Sequence, residues 1–335
     1  MTFIIIEGPT CAGKSTLQAE IAHQIEATTG ATPAILHQGQ PAERTRRWVL
    51  DAYANKIDRW FVASKSQVIA DRWAWGEPVY APIYRPETDV DGFGLLGIAG
   101  WRWVELFLMS RGAITVHVTA SADTLVKRLR TRGDDHVKTV DDLLSIASRY
   151  KDIVPFSPTY VMKIDSTDIS LAAFKHNAKI AVNIATVFSE GAAKLARWPG
   201  YIGPTRPQLL LLGDTRNLGA SNEYLDETRL PFMPVPGGSG EYLLSALPEW
   251  TWRRCGVVNA NDPGMTPREL HALWVALERP RVVALGVNAL RAGEAASIDS
   301  GRLHSVWHPQ YARRFHYADR EKYGLNIAGF ASSHH

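Results

Sequence analysis

The chain has 335 residues, of which 45% are hydrophobic and 21% charged, and its net charge is +3. This composition excludes a disordered or fibrous protein, and the length favours two domains, since one core stops growing before about 300 residues. Two cysteines, Cys11 and Cys255, exclude a disulfide framework, and no CxxC pair is present for a metal.

The first element is "TFIIIEG", a continuous apolar run ending in Gly, as expected of a parallel strand covered on both faces. It leads into "GPTCAGKST", residues 8–16, which matches G-x-x-x-x-G-K-[ST]. Gly8 and Gly13 let the backbone curl around a phosphate, with Pro9, Thr10, Cys11 and Ala12 between them. Lys14 supplies a mobile positive charge, Ser15 a hydroxyl for Mg²⁺, and the helix starting near Ser15-Thr16 its positive end. ATP and Mg²⁺ are therefore the expected cofactors.

Further short apolar runs follow: "PAILH", "QVIADR", "AITVHVTA" and "TYVMKID". Helices are expected at 15–27, 43–62, 101–111, 121–131, 139–151 and 169–188. Strands alternating with helices predict an α/β fold with a parallel sheet wound on both faces. Trp73, Trp75, Trp101 and Trp103 read mainly as packing. "FGLLGIAGWRWVELFLMS" carries Arg102 and Glu105, so it reads as a buried helix and not a membrane span. With no basic leader before the first strand, a cytoplasmic protein without membrane contact is expected.

Two more features belong with the phosphate loop. In "QVIADRW", Asp71 can hold the metal shell, while Arg72 cannot act as a base but can clamp an acceptor phosphate. In "LVKRLRTRGDD", Arg128, Arg130 and Arg132 end a helix, suited to neutralising a transferring phosphoryl group from a lid. The absence of a water-activating acid after Asp71 points to transfer, as opposed to a motor or switch.

On "IIIEGPTCAGKST", "ADRW" and "RLRTRG", residues 1–190 resemble the thymidylate kinase family of P-loop kinases, and the first domain is taken as 1–192. The resemblance implies that Asp71 and Arg72 sit at the acceptor monophosphate and its metal, and that Arg128 and Arg132 are lid arginines. The expected reaction is phosphoryl transfer from ATP to a pyrimidine deoxynucleotide. The sequence departs from that family at Pro9-Thr10-Cys11, at "LHQGQPAER" and at "WAWGEPVYAPIYR". A remodelled acceptor pocket follows, with Glu77, Tyr80 and Tyr84 as lining candidates.

"RWPGYIGPTRP" breaks the pattern and reads as a linker, taken as 193–206. A second, smaller α/β series then runs over 207–330: "PQLLLLGD", a helix near 239–248, "RCGVVNAND", a helix at 266–278, "RVVALG", another helix and "LHSVWHP". From residue 191 onward there are 16 Lys and Arg against 13 Asp and Glu, a balance that permits nucleic-acid contact without demanding it.

"LLLLGDTRN", "LPFMPVPGGSGEYLLSAL", "GVVNAND" and "VWHPQYARRF" resemble, in order and spacing, the uracil-DNA glycosylase superfamily. The resemblance implies a base site of Asp214, Phe232, Asn259 and His308: acid, stacking ring, amide reader and imidazole. Thr215-Arg216-Asn217 and Gln310 depart from the superfamily pattern, and base binding is expected ahead of base excision. Arg313, Arg314, Arg320 and Lys322 are candidates for phosphate contact. DNA is thus an expected partner of this domain, and an oligomer is compatible with the sequence.

Three functions are set against one another. The first is a free-nucleotide kinase with an appended base-binding domain. The second is a bacteriophage-type DNA-modifying kinase acting on a hydroxymethyl-pyrimidine in polymer. The third is a non-catalytic, nucleotide-gated DNA-binding protein.

Overall fold

The computed structural model describes residues 2–37, 45, 49, 50, 52, 53, 67–134, 137, 139–214, 231–316 and 319–332. Most of the helix expected at 43–62, and Thr215-Arg216-Asn217, lie outside these residues. The fold is α/β, with two parallel sheets in two compact units. The first unit comprises Met1–Gly97 and Arg111–Gly191, and the second Ile98–Ser110 and Ala192–His335.

In the first unit, β1 (Phe3–Glu7), β2 (Ala34–His37), β3 (Val68–Asp71), β4 (Ile114–Thr119) and β5 (Tyr160–Asp165) form a sheet of order β2-β3-β1-β4-β5. β1 is buried along its whole length and β4 along all but its last residue, as strands covered on both faces are. From β1 the chain leaves to one side for β2 and β3, then to the other for β4. The crevice at the carboxyl end of β1 is therefore the topological switch point, where such sheets bind ligands. Register sets His37 beside Asp71, and Glu7 beside His117, at that edge.

Helices Lys14–Thr29, Ala122–Arg132, Val140–Ile153 and Leu171–Ala193 fall close to the expected positions. A helix at Gly76–Tyr84 does not, because Pro78 and Pro82 read as breakers. The C-terminal helix Arg320–Ser332 was hidden by its two glycines, Gly324 and Gly329.

In the second unit, β6 (Leu209–Gly213), β7 (Cys255–Asn259), β8 (Arg281–Leu285) and β9 (Leu303–Val306) make a parallel sheet of order β7-β6-β8-β9. Its core includes Leu210, Leu212, Val258, Leu273, Val282 and Ala284. The stretch expected to be a linker belongs to that core: Leu195, Trp198 and Tyr201 are buried in it. Ile202 bridges to Val257 of β7. The helix Gly97–Ser110 also contributes to this unit from Ile98 onward. Trp101 meets Trp252 edge-on at 5.6 Å, Arg102 donates to the carbonyls of Leu244 and Leu247 at 2.7 Å, and Trp103 donates to Pro231 O at 2.9 Å.

Candidate functional site

The loop after β1 has the backbone that its residues demand. Gly8 has φ 147°, and a Cβ there would sit 2.1 Å from Val118 O, so no side chain fits. Gly13 (φ 93°) turns the chain into the helix that begins at Lys14, leaving Ser15 and Thr16 exposed on its first turn. Cys11, between them, is also left-handed at φ 65°. Lys14 is buried, and its Nζ donates to Gly8 O at 3.0 Å and Pro9 O at 2.9 Å. Burial pulls its pKa down to about 8, with Arg72 adding repulsion. Burial, with a smaller push from Asp134, raises the Cys11 thiol against the pull of Arg132, Lys14 and Arg128.

Asp71 ends β3. Its Oδ2 lies 3.1 Å from His37 Nδ1, and its Oδ1 is buried with no partner among the described residues. An unpaired buried carboxylate oxygen is costly, and such groups are retained where a ligand or ion completes them. That oxygen suits a divalent cation. Mg²⁺ commonly takes one or two carboxylates and completes its shell with water and substrate phosphates. Among the described residues no group of three His, Cys, Asp or Glu is placed to hold a metal ion.

Arg72 is held in the left-handed region (φ 63°) by its N–H, which donates to Ile6 O at 3.0 Å. Its Nη2 donates to Thr10 Oγ1 at 3.2 Å, and its guanidinium lies 4.9 Å from the Tyr80 ring centre. Lys14, Asp71 and Arg72 thus converge on one loop. Arg132 also reaches it electrostatically, through Cys11.

Arg128 is placed differently from the expected lid. Its Nη1 donates to Cys11 O at 3.1 Å and Ser166 Oγ at 2.9 Å, and its Nη2 donates to Ser166 O at 2.7 Å. Ser166 Oγ in turn donates to Ala12 O at 2.6 Å. Arg128 therefore braces the phosphate loop against the chain after β5. Arg130 and Arg132 are exposed in the last turn of the same helix.

Of the lining candidates, Glu77 is committed elsewhere. It pairs with Arg85 at 3.1 Å and accepts the Leu95 N–H at 3.1 Å. Tyr80 and Tyr84 stack at 6.5 Å; the buried Tyr80 hydroxyl faces Tyr150 and Thr10, while that of Tyr84 is buried without a partner among the described residues.

Glu7 and His117, both buried beside this site, were not singled out from the sequence. Glu7 is fully buried and accepts from Trp73 N–H at 2.6 Å and Tyr150 Oη at 2.9 Å. Burial raises its pKa to about 7 against those bonds and the nearby Arg72 and Lys14. A lone acid closing an apolar strand was its signal. His117 stacks on Tyr150 at 5.7 Å with both ring nitrogens unpartnered among the described residues. Burial pushes its pKa down to about 4, so it is neutral. Arg72, Tyr80, Tyr150 and His117 form a continuous chain of contacts, because Tyr80 also meets Tyr150 edge-on at 6.2 Å.

The second unit gathers its four candidates at the carboxyl edge of its sheet. Asp214 follows β6, Asn259 ends β7 and His308 follows β9. A Cβ on Gly213 would sit 2.4 Å from both Asn259 Oδ1 and Phe232 Cε2, so amide and ring share the space that this glycine leaves. Phe232 itself has φ 49°. Burial lowers His308, while the nearby Asp214 charge pulls it back up. Both Asp214 oxygens are satisfied: Oδ1 accepts from Asn261 Nδ2 at 2.7 Å and Oδ2 from Asn288 Nδ2 at 2.8 Å. Asn261 and Asn288 carried no sequence signal. With Asp214, Leu270 and Arg291 they line a cavity of about 320 Å³.

No family model matches the chain. It is 27% identical over 154 residues to the SPbeta prophage-derived uncharacterized protein YorR of Bacillus subtilis (strain 168), covering 46% of this chain and 82% of that protein. The crystal structure of YorR from Bacillus subtilis in complex with phosphorylated GDP is similar with a TM-score of 0.41 and 23% identity, over 58% of this chain and 98% of that one. Deoxyadenosine kinase from M. mycoides with bound dATP gives 0.37 and 15%, over 55% of this chain and 100% of that one. Thymidylate kinase from Candida albicans gives 0.36 and 13%, over 56% and 93%. Among the described residues no helix is long and apolar enough to cross a membrane.

Proposed function

We propose that the first unit transfers the γ-phosphoryl group of ATP to a pyrimidine deoxynucleotide. The observation that carries this reading is the meeting of Lys14, Arg72 and the unpartnered Asp71 Oδ1 around one phosphate loop. The loop amides and Lys14 bind the donor phosphates, and Lys14 exchanges its two carbonyl partners for them. Ser15 and Asp71 would hold Mg²⁺, which supplies neutralising charge between the donor phosphates when bound. Arg72 meets the acceptor, fixed in direction by its strained backbone, Thr10 and the Tyr80 face. Arg132 steadies charge on the group in transit, while Arg128 keeps the loop in place.

A second reading concerns the acceptor. An aromatic ring, an amide, an acid and an imidazole gathered at one sheet edge suit a base extruded from DNA. The acceptor in that case is a hydroxymethyl-pyrimidine within polymer, and the prophage origin of YorR is in keeping with a bacteriophage setting. The two asparagines that occupy Asp214 favour holding a base over excising it, because both oxygens are already engaged.

Incubation with γ-labelled ATP and Mg²⁺ tests both readings. Free dTMP, dUMP and hydroxymethyl-dUMP are offered in one series, and duplex DNA carrying hydroxymethyluracil in another. Label in free nucleotide supports the first reading and label in polymer the second. ATP binding without transfer to any acceptor overturns both and leaves a nucleotide-gated binding protein.

A further inference from the structure

Beyond β9 the chain continues as Trp307-His308-Pro309-Gln310-Tyr311-Ala312-Arg313-Arg314-Phe315-His316. A helical turn, Pro309–Tyr311, widens into a π-helix over Ala312–His316. The wider turn brings residues five apart onto the same side as those four apart, and such turns concentrate at functional sites. Tyr311 accordingly meets both Phe315 (ring centres 5.0 Å) and His316 (4.9 Å). His316 lies flat on Trp307 at 4.5 Å and 11°, and Trp307 reaches Tyr311 at 5.1 Å. Four rings make one continuous cluster.

The cluster is anchored from beneath. Tyr323 Oη donates to Trp307 O at 2.7 Å, and Pro309 and Ala312 are buried. Its rings nevertheless stay outside the core: Trp307 is 51% exposed, Tyr311 42% and Phe315 67%. Large aromatics give up favourable burial when left in water, and a contiguous exposed group of them marks a binding surface.

Charge identifies the occupant. Arg313 and Arg314, which lie between Tyr311 and Phe315 in sequence, are exposed, and Arg313 Nη1 lies 3.6 Å from where a Cβ on Gly237 would be. Residues 307–322 carry four Arg and Lys against two Asp and Glu. An apolar protein surface would cover the rings but leave the guanidinium groups without counter-charge. A partner that is a polyanion and brings its own flat rings satisfies both features.

We propose that the Trp307, Tyr311, Phe315 and His316 cluster, with Arg313 and Arg314, is a binding surface for single-stranded nucleic acid. Unpaired bases stack on the rings while the arginines meet the phosphates. This surface is separate from phosphoryl transfer and needs no chemistry at Asp214.

Fluorescence anisotropy on the full chain tests it, with a labelled twelve-nucleotide oligo(dT), an abasic phosphodiester of the same length and an oligo(dT)·oligo(dA) duplex. Oligo(dT) should bind at least about tenfold more tightly than the abasic strand and the duplex. Trp307→Ala and Phe315→Ala should each weaken oligo(dT) by roughly 5- to 100-fold, with little effect on the abasic strand. Trp307→Phe, which keeps a ring, should retain most of the affinity. Replacing Arg313 and Arg314 together by Ala should lower the slope of log affinity against log salt by about 1.4.

Equal affinity for oligo(dT) and the abasic strand overturns the proposal, as do ring variants without effect. Absence of binding overturns it too and assigns the patch to a protein partner. Should Trp307→Ala fail to fold, the more exposed Phe315 carries the test. Lys14→Ala should bind oligo(dT) normally, so failure of this surface and failure of phosphoryl transfer remain distinguishable.

Discussion

Each unit places an aspartate just where a central parallel strand ends, and the two are treated in opposite ways. Asp71, closing β3, gives one oxygen to His37 and leaves the other buried and unpartnered among the described residues. Asp214, following β6, has both oxygens filled by asparagine amides. Sheet topology puts both residues at the carboxyl edge of a parallel sheet, and their partners differ. A carboxylate with an open oxygen has room for a further partner; one held by two neutral amides has both oxygens engaged.

The largest effect expected from breaking this contrast is at the loop that serves Asp71. Lys14→Ala should reduce phosphoryl transfer by at least about 10³-fold in a labelled-ATP assay, since its charge is the mobile one. Asp71→Asn should lower kcat by roughly 10²-fold, whereas Asp214→Asn should leave transfer to a free nucleotide unchanged. Equal losses in the two asparagine variants would erase the distinction.

Arg128→Ala should destabilise the first unit by about 2–3 kcal/mol, because three charge-assisted bonds are lost, and should weaken ATP binding through a slackened loop. Thermal unfolding and ATP titration check both. Arg132→Ala, by contrast, should lower kcat with little change in Tm.

A smaller effect concerns Glu7. Its folded pKa, raised to about 7, means that the native state binds more protons than the unfolded state between about pH 4.5 and 7. Stability from this group is complete below about 4.5 and is lost as pH rises through 7. Glu7→Gln keeps an acceptor for Trp73 and a partner for Tyr150, and should flatten the fall by up to about 3 kcal/mol. Comparing Tm at pH 5 and pH 7.5 for both proteins measures it. Lys14 acts only above this window: its lowered pKa gives a stability gain between about 8 and 10.5.

Local features were the legible ones. β1 and its loop could be read because the apolar run, the glycines and Lys14 lie within 14 residues, and each is required by backbone geometry at its own position. The Gly76–Tyr84 helix was obscured by Pro82, whose cost within a nine-residue helix is offset by packing that single residues do not announce. Arg128, Arg130 and Arg132 look alike as a charge run. Only the fold turns Arg128 toward Cys11 and Ser166, the latter 38 residues away. Asn261 and Asn288 were invisible because their partnership with Asp214 spans 47 and 74 residues. The buried Trp198 and Tyr201 likewise show that a Pro- and Gly-rich stretch can still belong to a core.

The most direct test of the contrast is ATP binding measured calorimetrically with and without Mg²⁺ in the wild type, Asp71→Asn and Asp214→Asn. The open-oxygen account predicts that Mg²⁺ tightens ATP binding in the wild type and in Asp214→Asn but not in Asp71→Asn. Undiminished Mg²⁺ enhancement in Asp71→Asn would contradict it.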